Sequence, residues 1–176
     1  MRKKFFCILS LLLVVSCLLC LISCTKVSED YKEVRTNLRS EGYQVFVGAT
    51  STEATELLSE LLYSMVYSLD NEDAVERGEI LLESFAEDYN DLVREIDVVV
   101  AGLSENGEGE DLLLAIYFDD KSGLGNNYDI FKNIFDFIKS SSFDVEEILI
   151  DNNDLEYGKS GKIIYFGTPQ AFEDAK

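Results

Sequence analysis

Residues 96–119 read IDVVVAGLSENGEGEDLLLAIYFD: two apolar runs, rich in β-branched and aromatic residues, on either side of a Gly-, Asn- and Glu-rich turn. Short runs of this composition, bounded by turn formers, are strands, and such a turn joins them as a hairpin. On both sides of the hairpin the apolar period lengthens to that of helices. Upstream, Leu58, Leu61, Leu62, Met65 and Leu69 form one broad stripe in TEATELLSELLYSMVYSL, a helix that Ser51 or Thr52 caps. After a turn at Asp70-Asn71, Val75, Leu82, Phe85, Tyr89, Leu92 and Ile96 recur at helical spacing, so the two helices form an antiparallel hairpin of their own. Downstream, Asn126 caps a helix that turns Ile130, Ile134, Phe135 and Ile138 inward.

The ends of the chain complete the pattern. Tyr31, Val34 and Leu38 set a helix over 31–40 with Gly42 as its stop, and Tyr43, Val45 and Phe46 read as a short strand. SSSFDVEEILID (140–151) and KIIYFG (162–167) are further strands, with NNDLEYGKSG as their connection. Thr168-Pro169 opens a short last helix, Thr at the N-cap and Pro at the first helical position, where its missing N–H costs nothing. Residues 31–176 are thus expected to form one α+β domain. The predicted fold is a ferredoxin-like sandwich, with a mainly antiparallel sheet, helices on one face and the helical hairpin as an addition. Val98, Val100, Leu112, Leu114, Ile116, Phe118, Ile164 and Phe166 should alternate on that sheet, with Phe135 and Ile138 packed upon it.

The first 26 residues, MRKKFFCILSLLLVVSCLLCLISCTK, are of another kind. Arg2, Lys3 and Lys4 precede an almost unbroken apolar run from Phe5 to Ile22, the order of a secretory signal. An uncleaved anchor helix is the other reading of the run, since about 20 apolar residues cross a bilayer. Leu21-Ile22-Ser23-Cys24 resembles the lipobox of bacterial lipoprotein signals, and it falls where the apolar run ends. That resemblance implies lipidation of the Cys24 thiol, cleavage before it, and a lipid anchor in the cell membrane with the chain on the extracytoplasmic face. Residues 1–23 are then the signal peptide and 24–30 a polar tether. The mature chain has 153 residues, and its 34 acids against 12 bases leave a net charge of −22. Such a surface disfavours nucleic acid, whose phosphates need Lys and Arg, and it disfavours lying flat on anionic lipid.

The chemistry available is narrow. There is no His, and Cys7, Cys17 and Cys20 leave with the signal while Cys24 takes the lipid. Imidazole bases, the usual triads, thiol nucleophiles and Cys or His metal sites are therefore absent from the expected domain. Gly158-Lys159-Ser160 echoes a nucleotide loop without its earlier glycine, and Gly123-x-Gly125 lacks the third glycine of a dinucleotide loop; both read as turns. Asp151–Glu156 (DNNDLE) lacks the glycine and the fifth ligand of a calcium loop and reads as a polar turn. No cofactor or metal is expected.

The closing stretch, with Ile164-Tyr165-Phe166-Gly167-Thr168 before Ala171-Phe172-Glu173-Asp174, resembles a group of small uncharacterised lipoproteins of low-GC Gram-positive bacteria. In that group a strand ending Tyr-x-Gly-Thr precedes a short Ala-x-x-Asp helix. The resemblance implies location and fold but no activity, and the acidic helical hairpin departs from it. Three functions remain in view: a tethered, non-catalytic binding module, a carboxylate-based hydrolase, and a structural component of the cell envelope. Residues 57–69 carry more apolar side chains than one seam can bury, so this helix either lies between two layers or offers a face to a protein partner. Tyr63, Met65 and Tyr67 are the candidate anchors of that face, because aromatic and Met side chains are enriched in such contacts.

Overall fold

The hairpin forms as read. In the computed structural model, which describes residues 27–92, 95–106, 109–141 and 154–176, β2 (Ile96–Asn106) pairs antiparallel with β3 (Gly109–Phe118). Val99 lies opposite Ile116 and Ala101 opposite Leu114. Around it the chain runs α1 (Tyr31–Ser40), β1 (Gln44–Gly48), α2 (Ser51–Tyr67) and α3 (Glu72–Leu92), then, after the hairpin, α4 (Lys121–Ser140), β4 (Glu156–Ser160), β5 (Ile163–Gly167) and α5 (Pro169–Asp174). The strands form one five-stranded sheet in the order β1-β2-β3-β5-β4, every neighbouring pair antiparallel. This is the α+β class with the antiparallel sheet that the sequence predicts.

Two finer expectations are corrected. A ferredoxin-like crossover of one helix brings the chain back parallel and leaves room for a strand between. Here the crossover holds two helices, α2 out and α3 back. The chain therefore returns antiparallel, and β1 pairs directly with β2, Val47 opposite Val100. Helices also cover both faces of the sheet rather than one. Val99, Leu114, Ile116, Phe118, Ile164 and Phe166 share a core with α2, α3 and α4, while Val98, Val100, Leu113, Ala115, Tyr117, Ile163 and Tyr165 share a second core with α1 and α5. That is why β3 and β5 read as continuous apolar runs: burial on both sides removes the polar alternation. Val98 and Val100 thus face away from the layer of Leu112, Leu114 and Ile116. The register shifts between Ile96 and Val98, which makes Asp97 an extra, exposed residue.

Helix ends follow local chemistry. Beyond α1, Gly42 sits at φ 91°; its N–H reaches Arg39 O and that of Tyr43 reaches Leu38 O, the paired bonds of a Schellman stop. Thr168 caps α5, its Oγ1 accepting from Ala171 N–H, with Pro169 at the first position. Elsewhere the starts shift. Thr50, rather than Ser51 or Thr52, caps α2. α4 begins five residues before Asn126: the Asp120 carboxylate accepts from Gly123 N–H at 2.8 Å, so Gly123 and Gly125 lie in a helix and not in a turn. Ile96 opens β2 instead of closing α3. The stretch read as a connection contains β4, with Gly158-Lys159-Ser160 inside it, and only Gly161-Lys162 link β4 to β5. Of the strand expected over 140–151, Ser140 ends α4, and 142–151 fall outside the described residues, as does the Asp151–Asn153 part of the calcium-like stretch.

Candidate functional site

α2 carries the predicted partner residues, and its capping fixes how they face. Thr50 Oγ1 accepts from Glu53 N–H at 3.3 Å, and the Glu53 carboxylate accepts from Ala49 N–H at 3.2 Å, close to a capping box. From this start Ala54, Leu58, Leu62 and Val66 fall on the core stripe, and Leu57, Leu61, Tyr63 and Met65 pack half-buried against it. Tyr67 is 60% exposed. Tyr63 and Tyr67, one turn apart, stack with ring centroids 6.1 Å apart and planes at 23°. Met65 lies two residues from each, about 200° round the helix, so it does not join them. The Tyr67 hydroxyl bonds the Glu79 carboxylate of α3, which raises the phenol pKa by favouring its protonated form.

The candidate face is therefore the Tyr63–Tyr67 stack rather than a trio with Met65. Ile80, next to Glu79 on α3, is also 60% exposed, a residue that sequence reasoning missed. The signal for it was present: Ile80 falls between Val75 and Leu82 but off the stripe that holds them. A second surface lies along β1, whose outer edge pairs with no described strand. There Phe46, 45% exposed, forms a groove with Glu53, Glu56, Leu57 and Glu60 of α2.

The hydrolase reading calls for two converging carboxylates, one with a raised pKa. Among the described residues, Asp136 with Lys132 and Tyr157 brings an acid, a base and a phenol together. The Lys132 ammonium bonds one carboxylate oxygen and the Tyr157 hydroxyl donates to the other at 2.5 Å. The ammonium first, and then the phenol, hold Asp136 below the usual carboxylate range, the wrong direction for a general acid.

At the opposite end from Tyr67 the chain enters the fold. Val27 is fully buried in the second core, so the last part of the expected tether belongs to the domain. Ser28 O accepts from the Tyr117 hydroxyl at 3.1 Å, and the Tyr31 ring meets Tyr117 edge-on at 6.2 Å. Burial, followed by the Asp30 charge, raises the Tyr117 pKa. Glu29 packs on Gly161, and Asp30 caps α1, accepting from Lys32 N–H at 2.9 Å. Residues 1–26, with Cys24, lie outside the described residues, and among the described residues no helix is long and apolar enough to cross a membrane. No family model, no curated protein and no solved structure matches this chain.

Proposed function

We propose that the chain is a lipoprotein, anchored through Cys24 in the cell membrane on the extracytoplasmic side, whose domain is a non-catalytic binding module for a protein partner. One observation carries the anchoring: Leu21-Ile22-Ser23-Cys24 ends an apolar run that Arg2, Lys3 and Lys4 precede. No other Cys follows Cys24, so the mature chain has a single thiol to acylate. A diacylglyceryl group buries two chains at about 0.8 kcal/mol per methylene, enough for stable attachment. The resemblance of the closing strand and helix to small Gram-positive lipoproteins agrees with this reading.

The test is metabolic. Supplied palmitate will label the wild type, which sediments with membranes, whereas Cys24→Ala will take no label and accumulate as the uncleaved precursor. A wild type that takes no label ends the lipoprotein reading.

The partner reading is supported by the Tyr63–Tyr67 stack, of which Tyr67 is exposed, and by the exposed Ile80 of α3. Tyr67→Glu sets a second carboxylate beside Glu79 on that face, where like charges repel. It will abolish co-purification of the partner from envelope extracts while moving the melting temperature by no more than about 2–4 °C, the scale of 1 kcal/mol for a domain of this size. Undiminished co-purification removes the partner from this face.

A further inference from the structure

We infer that the lipidated chain is held end-on at the bilayer, with the β4–β5 turn against the lipid headgroups and the α2–α3 turn facing outward; this rests on the lipoprotein reading above. The argument starts from distance. Between Cys24 and the buried Val27 stand only Thr25 and Lys26. Three Cα steps reach at most about 11 Å, so Val27 stays within about that distance of the acylated Cys24 unless the domain unfolds.

The fold fixes what lies beside Val27. Ser28, Glu29 and Tyr31 meet Tyr117 and Gly161, where β3 ends, β2 begins and Gly161-Lys162 turn the chain from β4 to β5. β3 leads away from this end for ten residues, about 33 Å at strand rise. β1 approaches the same end at Gly48, which is paired with Val99, so α2 leaves it and the turn at Ser68–Asn71 stands at the other. The Tyr67 face is thereby carried toward the outer end of the domain. A binding module needs that geometry, because a partner approaching from outside meets the outer end first.

Charge does not set this orientation. The inner end is of mixed sign, with Lys32, Lys121 and Lys162 exposed among Glu29, Asp97 and Asp119. The tether sets it, which separates this proposal from electrostatic docking: the orientation will persist in high salt, where screening shortens to a few ångströms, about 3 Å at 1 M.

The mature chain's only thiol is acylated, so one introduced cysteine is uniquely labelled. Full-length lipidated Lys162→Cys and Asp70→Cys, both at exposed positions, are spin-labelled and reconstituted in vesicles containing nickel-chelating lipid headgroups. The label at 162 will be relaxed more strongly than that at 70 by on the order of tenfold, given the roughly 25 Å that the 17 residues of α2 span at helix rise. Inserting ten Gly-Ser residues between Lys26 and Val27 will erase the difference. Equal relaxation at both positions, or a difference that survives the insertion, overturns the proposal. Protein that takes no palmitate and does not float with the vesicles overturns the lipoprotein reading itself, and the orientation falls with it.

Discussion

Ile116→Asp will leave the domain without a cooperative thermal transition near neutral pH. Ile116 is fully buried near the end of β3, the central strand of the sheet, with Val99 on one side, Ile164 on the other and the larger helical layer above it. The substitution removes a buried aliphatic side chain, worth about 2–5 kcal/mol on truncation. It adds a carboxyl group with no cation among the residues of that core, at about 1–3 kcal/mol even when the group stays neutral. The sum approaches the whole stability of an ordinary domain, about 5–15 kcal/mol. The sign of the pH effect follows. Burial raises the folded pKa of the new carboxyl above its unfolded value, so the penalty is smallest below the unfolded value and grows as pH rises through the folded one. Circular dichroism melts at about pH 4 and pH 7 will therefore differ, with the acid sample the better folded of the two. Ile116→Val, at about 0.5–1.5 kcal/mol, keeps the transition. An unaltered melt for the Asp variant would mean that this side chain does not face the core.

Phe135→Ala comes next in size. Phe135 of α4 is fully buried and stacks on Phe166 of β5 with centroids 4.5 Å apart and planes at 8°. Its ring also meets Phe131 and Tyr157, each at 5.9 Å. Phe135 thus touches both β5 and β4 from α4. Truncating a buried Phe costs about 3–5 kcal/mol, and stacking adds about 0.5–1.5 kcal/mol to what burial alone supplies. The melting temperature will fall by roughly 10–20 °C, at about 2–4 °C per kcal/mol for a domain of this size. Phe135→Leu will fall less, since it keeps most of the volume. A double-mutant cycle with Phe166→Ala will return a coupling of about 0.5–3 kcal/mol, as expected for groups in contact. A fall of less than about 4 °C, the scale of 1 kcal/mol, would show that α4 is held by other contacts.

These two positions were legible for different reasons. Ile116 lies in an apolar run that no solvated segment of this length would carry, and Phe135 lies on a helical stripe. Tyr67 was legible only as a residue in excess of what one seam can bury. Its place one turn from Tyr63 and away from Met65 follows from the helix period, but its exposure depends on where α3 comes to rest against α2. Ile80, exposed on α3, is legible only as an apolar residue off the stripe, which carries no period of its own. β4 reads as a connection for a related reason. Of its five residues only Tyr157 is a large apolar side chain, and its strand state comes from pairing with β5.

What the sequence by itself determined is what short-range chemistry determines: the central hairpin, the stop at Gly42, the Thr168-Pro169 start, the helical stripes and the α+β class. Each depends on residues within a turn or a strand of one another, so the pattern is written where it acts. Tertiary structure decided the rest. Thr50, Ser51 and Thr52 are all competent caps, and the choice of Thr50 came with the docking of α2 on β1, where a Cβ on Gly48 would lie 2.5 Å from the Ala54 backbone. The crossover of two helices made β1 and β2 antiparallel neighbours and displaced the ferredoxin-like order. The covering of both sheet faces followed from where α1 and α5 return. A run such as VVVA or LLLAIYF says that both of its faces are dry, but it does not say which helix dries each one. That information lies in the contacts between elements far apart in the chain, and only the folded chain brings them together.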